Sequence, residues 1–258
     1  MRVFFIGDIV GRPGRDIVYK LLPELREEYG FGLVIANAEN ASGGRGLTKQ
    51  TAEELFAGGI DFLTMGNHVW DQKEIIKFID NENYLLRPAN YPQGVPGKGY
   101  GIITRNGVKI GVINLSGQVF LPPLENPFIS VMSIINTLSA ETPIIFVDFH
   151  AEATSEKVAM GWFLNGKVTA VLGTHIHVQT ADARILDQGT AYITDVGMTG
   201  PRDSVLGVKK EIVINKFITQ MPARFEVAGG VKQINGVVVE VDKKTGKAES
   251  IIPVQRFI

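Results

Sequence analysis

The four histidines of this chain all follow short apolar segments that end in polar residues. Such endings recur along the chain, and they are Gly7-Asp8, Asn37-Ala38-Glu39-Asn40, Gly66-Asn67-His68, Asp148-Phe149-His150 and Gly173-Thr174-His175-Ile176-His177. Open α/β sheets bind ligands outside the carboxyl ends of their strands, so these residues would converge if the apolar segments are strands. Imidazole and carboxylate groups together are typical ligands of Mn, Fe, Co, Ni and Zn. The pattern therefore predicts a transition-metal site at the ends of several strands.

Each of these residues also has a simpler interpretation. Asp8 alone is typical of a helix cap or a turn, Asn67-His68 of a turn, and His150 of a hydrogen-bonded core histidine. His175 and His177 are two residues apart, so on a strand they would face the same side, which fits a metal pair or a surface pair. The simpler interpretations need a separate coincidence at every strand end, and the metal site is therefore favoured.

The glycines after the first apolar segment indicate a different kind of site, but their spacing disfavours it. Gly7, Gly11 and Gly14 resemble a phosphate-binding turn, and Glu39 lies where a ribose-binding acid is expected. A dinucleotide fingerprint has one residue between its first two glycines, whereas three residues separate Gly7 from Gly11. Asp8 would also place a negative charge beside the pyrophosphate. A dinucleotide site is therefore the weaker hypothesis.

Composition excludes several other classes of site. The chain of 258 residues contains no cysteine, which excludes thiol catalysis, iron–sulfur clusters and cysteine-ligated zinc. Its 26 basic and 27 acidic residues give a formal net charge of −1, unlike proteins that coat nucleic acid or anionic membranes. No apolar run is long enough to span a membrane, and the first residues do not form a signal peptide. We therefore expect a cytoplasmic protein.

Apolar runs alternate with segments of helical period through the first part of the chain. Strands are predicted at residues 3–6, 33–36 and 62–65, and helices at residues 17–25, 48–56 and 73–79. Gly30 would end the first helix and Thr48 would cap the second. This β-α-β-α-β-α order predicts a mostly parallel sheet.

From about residue 99 the sequence favours hairpins. Asn106-Gly107 separates apolar runs at residues 100–105 and 108–115, which is a strong hairpin signal. Further hairpins are predicted between residues 183–186 and 191–194 and between 236–241 and 248–254, with strands at 144–149 and 168–172 and a helix at 155–164. The proline-rich residues 118–127 would form a surface loop or lid. We expect one domain over residues 1–258 that contains two sheets.

At its polar strand ends the chain resembles the calcineurin-like metallophosphoesterases. Their motifs run Asp-x-His, Gly-Asp, Gly-Asn-His, a lone His and Gly-His-x-His, and matching segments follow in the same order here. Val10 stands where the first histidine of that pattern belongs, and Glu39 replaces the usual bridging Asp. With these departures, the segments FIGDIVGRPGR, NAENASGGRGLT and MGNHVWD are similar to the bacterial YmdB branch, which is described as 2′,3′-cyclic-nucleotide phosphodiesterases. The resemblance implies an α/β fold, a four-layer αββα sandwich of two mixed β-sheets.

The resemblance also implies two metal ions, with iron or manganese expected first and zinc, cobalt or nickel as alternatives. Asp8, Glu39 and His177 would hold the first ion. Asn40 is the candidate for the ligand position that Val10 leaves empty.

The second ion would share Glu39 as a bridging ligand. Asn67, His150 and His175 would complete its coordination. His68 follows a ligand in the sequence but would itself remain unligated and face the substrate.

The implied activity is metal-dependent hydrolysis of phosphodiesters. Two metal ions would generate a bridging hydroxide and clamp the phosphate for in-line attack. His68, as imidazolium, would protonate the leaving oxygen as a general acid, a role worth about 10²–10⁴-fold in rate. Arg45 would contact the phosphate or lie in a surface turn, and residues 198–204 would form a wall of the site.

The expected substrates are 2′,3′-cyclic nucleotides first and 3′,5′-cyclic nucleotides second. A phosphomonoesterase or a ribonuclease with the same site is the alternative enzyme, although the near-zero net charge disfavours long RNA. A third hypothesis is a regulator that senses a nucleotide without turnover, but such a protein has no use for a general acid such as His68. Exposed sheet edges are compatible with a homo-oligomer.

Overall fold

Strand β1 (Arg2–Ile6) lies inside the first sheet, where its apolar side chains are buried on both faces. It pairs in parallel with β3 (Leu33–Asn37) and antiparallel with β13 (Lys232–Val241). The other strands of this eight-stranded sheet are β2 (Asp8–Ile9), β4 (Phe62–Thr64), β5 (Leu85–Leu86), β12 (Met198–Pro201) and β14 (Ala248–Phe257). The computed structural model describes residues 1–258, and it confirms the three strands predicted in the first part of the chain.

The second sheet has six strands, which are β6 (Tyr100–Arg105), β7 (Val108–Ser116), β8 (Ile145–His150), β9 (Ala170–Thr174), β10 (Arg184–Ile185) and β11 (Ala191–Ile193). Their order across the sheet is β10-β11-β9-β8-β7-β6. β7, β8, β9 and β11 run parallel, and antiparallel hairpins add one strand at each edge. Asn106 and Gly107 both have positive φ, as a two-residue hairpin turn requires. All three predicted hairpins are confirmed, because β13 and β14 also pair antiparallel.

The helices are α1 (Gly11–Tyr29), α2 (Lys49–Ala57), α3 (Pro127–Ser139), α4 (Thr154–Phe163) and α5 (Lys210–Thr219). Gly30 ends α1 in the left-handed conformation with φ 65°, and the side chain of Thr48 accepts the N–H of Thr51 to cap α2. Both predicted ends are confirmed.

The helix predicted at residues 73–79 is wrong in type. The segment forms two short 3₁₀ helices, Lys73–Lys77 and Ile79–Asn81. Phe78, between them, has φ −129° and ψ −19°, so its backbone leaves helical values after one turn. The amides of Phe78 and Asn81 then bond three residues back, to Ile75 and Phe78, instead of four.

The two sheets pack face to face with helices on the outside. Phe5 of β1 points into the core between the sheets, whereas Phe4 points towards α1 and α2, as the two-residue period of a strand requires. Phe146 of β8 points into the same inner core as Phe5, and Val147 points towards α3 and α4. This order of layers confirms the predicted αββα sandwich.

Residues 118–127 form a surface loop, except that Pro127 is already the first residue of α3. The loop is fixed at its start, where Glu156 of α4 accepts the backbone N–H of Gln118 at 2.9 Å. None of the helices combines the length and the hydropathy needed to cross a membrane.

Candidate metal centre

Asp8 follows β1 and presents a buried oxygen that lacks a hydrogen-bond donor. Its Oδ2 atom accepts the backbone N–H of His175 at 3.2 Å. Its Oδ1 atom is buried without a hydrogen-bond partner, and Nδ1 of His150 and Nε2 of His177 lie 3.8 Å and 3.9 Å from it. Burial of a carboxylate oxygen that accepts no hydrogen bond is costly. A cation beside Oδ1 would remove that cost.

Asn40 presents a second oxygen of the same kind. Its Nδ2 donates to the carbonyl of Gly44 at 3.1 Å and lies 3.0 Å from Nδ1 of His68. These contacts orient the amide so that Oδ1 is buried without a partner. Three buried polar side-chain atoms in the molecule lack a hydrogen-bond partner, and two of them belong to Asp8 and Asn40. Asp8 and Asn40 therefore each present an unpartnered oxygen of the kind that would bind a metal ion, and His177 lies beside that of Asp8.

Val10 contributes no ligand atom to this group. Its side chain is buried and packs towards Gly200 and Gly207, where an added Cβ would come within 3.1 Å and 2.7 Å of Val10 atoms. The position occupied by histidine in the wider family pattern is thus part of the apolar packing here.

A second group of donors meets around Nε2 of His150. Oε1 of Glu39 lies 3.2 Å from this nitrogen, Oδ1 of Asn67 lies 3.0 Å from it, and Nδ1 of His175 lies 3.0 Å from it. One nitrogen carries at most one proton, so it cannot bond all three neighbours at once. Gly66 permits this approach, because a Cβ there would lie 2.3 Å from Glu39 and from His150. The group fits a second metal ion.

The carboxylates of the two groups have no lysine or arginine partner. Only histidines form ion pairs with Asp8 and Glu39. Burial acts to raise the pKa of Glu39, but the charge of His150 and hydrogen bonds from His150 and His68 hold that pKa well below its usual range. Glu39 is therefore anionic in the interior of the protein.

The two neighbouring histidines have opposite pKa shifts. Burial acts to lower the pKa of His150, but the carboxylates of Glu39, Asp8 and Asp148 outweigh it and raise the pKa to about 9. Burial, followed by the charge of His150, lowers the pKa of His175 to about 3. His175 therefore has a free lone pair at neutral pH.

His68 is fixed at its main chain and at one ring nitrogen. Its backbone N–H donates to Oε2 of Glu39 at 3.1 Å. Its Nδ1 lies 3.3 Å from Oε1 of Glu39 and 3.0 Å from Nδ2 of Asn40. Its Nε2 has no protein partner, so this nitrogen is available to a bound molecule.

The prediction that His175 and His177 share one side of a strand is wrong. β9 ends at Thr174, and the two histidines follow it with φ values of 102° and 64°. Such values are strained for residues other than glycine and need support from the surrounding structure. The loop, rather than strand alternation, aims the two rings at different donor groups.

A buried ion pair supports this loop. Oδ2 of Asp195 accepts the backbone N–H of Ile176 at 3.1 Å and the ammonium of Lys157 at 2.7 Å. Both side chains are almost fully buried, so removal of either would leave an isolated charge. Nδ1 of His177 lies 3.1 Å from the carbonyl of Leu206, which fixes that ring from the other side.

A hydroxyl links His150 to a buried carboxylate that sequence reasoning left without a role. Oγ1 of Thr174 lies 2.9 Å from Nδ1 of His150 and donates to Oδ1 of Asp148 at 2.7 Å. Asn37 and Thr64, from the first sheet, donate to Oδ2 of Asp148 at 2.9 Å and 2.5 Å. With its hydroxyl proton directed at Asp148, Thr174 accepts from Nδ1–H of His150, so Nε2 is the nitrogen that would lose its proton to bind a metal ion.

Glu152 orients the other histidine of the second group and was also missed. Its Oε2 lies 2.9 Å from Nε2 of His175. With Nε2–H donated to this carboxylate, the lone pair of His175 lies on Nδ1, which faces His150. Glu152 comes two residues after His150 in the sequence, and this short spacing was the available signal.

Substitution of Thr174 by Val is expected to weaken metal binding about 10–100-fold, the usual effect of losing a partner that orients a histidine ligand. The side chain keeps its shape, but Nδ1 of His150 and Asp148 both lose a hydrogen bond. Calorimetric titration with the metal ion measures the affinity, and Thr174→Ser is expected to restore it. Unchanged affinity of Thr174→Val would disprove the role of the hydroxyl.

The structure thus brings together the eight predicted residues, which are Asp8, Glu39, Asn40, Asn67, His68, His150, His175 and His177. β12, within the predicted wall at residues 198–204, pairs with the strand that carries Asp8. Arg45 is exposed at the rim, where its guanidinium lies 3.9 Å from Asp71.

The chain is similar to known proteins along almost its whole length. A family model described as "YmdB-like protein" matches residues 4–254. The 2′,3′-cyclic-nucleotide 2′-phosphodiesterase of Bacillus subtilis is 53% identical over 251 residues, which cover 97% of this chain and 95% of that protein.

Two solved structures have the same fold at high similarity. A novel phosphatase from Mycoplasma pneumoniae has a TM-score of 0.94 and 39% identity, with 100% of this chain and 93% of that chain covered. A hypothetical protein from Thermus thermophilus has a TM-score of 0.93 and 38% identity, with 100% and 99% covered. By sequence and by fold, this chain belongs to the YmdB-like family.

Proposed function

We propose that this protein is a metal-dependent phosphodiesterase that hydrolyses 2′,3′-cyclic nucleotides with two transition-metal ions and His68 as the general acid. The broader class, a hydrolase of phosphoric esters, follows from the family and from the activity named for its relatives. The Bacillus subtilis name supports the cyclic nucleotide as substrate.

The observation that carries the metal-dependent mechanism is the pair of unpartnered oxygens, Oδ1 of Asp8 and Oδ1 of Asn40. The family resemblance assigns Asp8 to the first metal ion, and Asn40 is the candidate for the ligand position that Val10 leaves empty. Oε1 of Glu39 lies 3.2 Å from Nε2 of His150 and 3.3 Å from Nδ1 of His68, and that Nδ1 lies 3.0 Å from Nδ2 of Asn40, so His68 connects Glu39 to Asn40. Glu39 is therefore the proposed bridging ligand.

The proposed ligands divide into two sets that share Glu39. The first set is Asp8, Glu39, Asn40 and His177, and the second set is Glu39, Asn67, His150 and His175. Bound ions would supply a nucleophile at neutral pH and neutralise charge on the phosphate oxygens. No serine or cysteine nucleophile is required.

His68 has the geometry that a proton donor needs. As imidazolium it would donate Nδ1–H to Oε1 of Glu39, 3.3 Å away, and its Nε2 has no protein partner. In the proposed reaction water adds its oxygen to phosphorus, the bond from phosphorus to the ribose 2′ oxygen breaks, and Nε2–H protonates that oxygen. The product is the 3′-nucleotide, in agreement with the 2′ specificity named for the Bacillus subtilis relative.

A substrate panel tests the proposal. Protein loaded with manganese or iron should convert 2′,3′-cyclic AMP to 3′-AMP, and EDTA should abolish this activity until metal is restored. The panel also contains 3′,5′-cyclic AMP, AMP and a short RNA, each analysed by chromatography of the products. Preferred release of phosphate from AMP would indicate a phosphomonoesterase, and preferred cleavage of RNA a ribonuclease. Full activity of metal-free protein would refute the metal-dependent mechanism.

A further inference from the structure

A cavity of about 470 Å³ adjoins the candidate metal centre, and the reaction proposed above does not use it. Its walls come from the glycine-rich residues after Asn40, from Gln72, from Val208 just before α5, and from residues within and after α5. The lining includes Gly44, Arg45, Val208, Lys216, Phe225 and Val227. A cavity of this size lies within the usual range for small-molecule sites.

Direct hydrogen bonds connect the walls of this cavity to the candidate metal ligands. The carbonyl of Gly44 accepts Nδ2 of Asn40 at 3.1 Å, and the same nitrogen lies 3.0 Å from His68. On the opposite wall, Val208 follows Leu206, whose carbonyl lies 3.1 Å from Nδ1 of His177. Hydrogen bonds therefore link one wall of the cavity to Asn40, which contacts His68, and the segment before Val208 to His177.

The absence of side chains at two glycines keeps the cavity close to these ligands. Gly11 donates its N–H to the carbonyl of Asn40 at 2.9 Å, and an added Cβ would lie 3.2 Å from Val227. Gly44 has φ 95°, and a Cβ there would lie 3.0 Å from Val227. Larger residues at these positions would separate the wall that contains Val227 from Asn40.

The lining has the chemistry that a nucleoside requires. Phe225 is an aromatic side chain that is 43% exposed, and the ammonium of Lys216 lies 4.7 Å from the centre of its ring. Val208 and Val227 add apolar surface, and Arg45 and Lys216 add positive charge, while the one lining carboxylate, Glu226, is paired with Lys209 at 2.6 Å. Aromatic rings bind nucleobases of any sequence by stacking, because every base has a π face.

The proposed role of His68 as general acid places the nucleoside beside His68. A general acid must contact the leaving oxygen, and in a 2′,3′-cyclic nucleotide that oxygen remains attached to the ribose and its base. If His68 protonates the leaving oxygen, the ribose must lie beside His68, and the base must extend from there. The cavity contains an aromatic ring, and Gly44 in its wall is hydrogen-bonded to Asn40, which contacts His68.

We propose that this cavity is the nucleoside subsite of the enzyme and that Phe225 is the stacking surface for the base. This inference rests on the proposed function, since it takes its direction from the role of His68. It assigns base recognition to the segment after α5, which carries none of the candidate metal ligands.

The kinetic test compares two five-membered cyclic phosphodiesters, 2′,3′-cyclic AMP and glycerol 1,2-cyclic phosphate, which has no base. Phe225→Ala is expected to lower the ratio of their kcat/KM values about 5–100-fold, chiefly through the KM for cyclic AMP, as loss of one base stack predicts. Phe225→Trp should restore the ratio. Phe217→Ala removes a 74% exposed ring from α5 outside the cavity and should leave the ratio unchanged. An unchanged ratio for Phe225→Ala would overturn the inference.

A binding measurement separates failure of the subsite from failure of the proposed function. Calorimetry with 3′-AMP and with inorganic phosphate, on wild-type protein and on Phe225→Ala, does not depend on turnover. Weaker binding of 3′-AMP alone in the variant supports the subsite, even if wild-type protein hydrolyses neither cyclic phosphate and the proposed function fails. Equal binding of 3′-AMP by both proteins would overturn the subsite whatever the activity.

Discussion

Replacement of Glu39 by Gln is expected to remove both metal ions and to reduce hydrolysis of 2′,3′-cyclic AMP at least about 10³-fold. Glu39 contacts His68 and His150 and is held anionic by them, so it contributes charge to both donor groups. The amide removes that charge. Loss of several kcal/mol of metal-dependent stabilisation corresponds to a factor of this size. Elemental analysis of the purified variant gives the metal stoichiometry, and product chromatography gives the rate.

A matched control for this variant is Glu53→Gln on α2. Glu53 is exposed and pairs only with Lys49, one helical turn away, so its substitution is expected to change neither metal content nor rate. Thermal unfolding of the metal-free proteins shows whether Glu39→Gln still folds. A folded Glu39→Gln protein that keeps two ions per chain would refute the bridging role. Loss of only one ion would assign Glu39 to a single site.

The alternation of strands and helices and the hairpins could be predicted because burial leaves a periodic trace in the sequence, whereas the αββα sandwich is implied by the family resemblance. The continuous apolar run of β1 marks a strand that is buried on both faces, and the Asn106-Gly107 turn determines its hairpin locally. α5 lacks such a trace, because Val213 is its only buried residue and its exposed face is also apolar. α3 is not predicted either, because it follows a proline-rich loop. Its start does carry signals in the sequence, since Asn126 caps the helix and Pro127 occupies its first turn.

The candidate ligands could be predicted for a different reason, which is that chemistry restricts them to a few residue types at strand ends. The residues that support these ligands through hydrogen bonds could not be predicted. Asn37 and Asp148 are 111 positions apart, and their hydrogen bond exists only because two separate sheets meet at their carboxyl ends. Thr174 is an ordinary strand residue until its hydroxyl is placed between His150 and Asp148. The backbone of His175 likewise depends on a hydrogen bond to Asp8, 167 positions away.

Replacement of His68 by Ala is expected to reduce turnover of 2′,3′-cyclic AMP about 10²–10⁴-fold, the usual contribution of a general acid. The metal content should not change, because Asp8, Asn40 and the residues around His150 keep their donor atoms. The ring lies 3.3 Å from Glu39 and 3.0 Å from Asn40, so its removal takes one neighbour from each without removing a proposed ligand.

The leaving group separates proton donation from every other role of His68. Bis-p-nitrophenyl phosphate releases a phenolate that is stable without a proton, whereas ribose leaves as an alkoxide that needs one. The His68→Ala defect should therefore be much smaller with the nitrophenyl ester than with 2′,3′-cyclic AMP. Equal defects on both substrates would show that His68 positions the phosphate or the metals instead of donating a proton. A variant that loses metal would identify His68 as a ligand, and Nε2, which has no protein partner, would then be its coordinating atom.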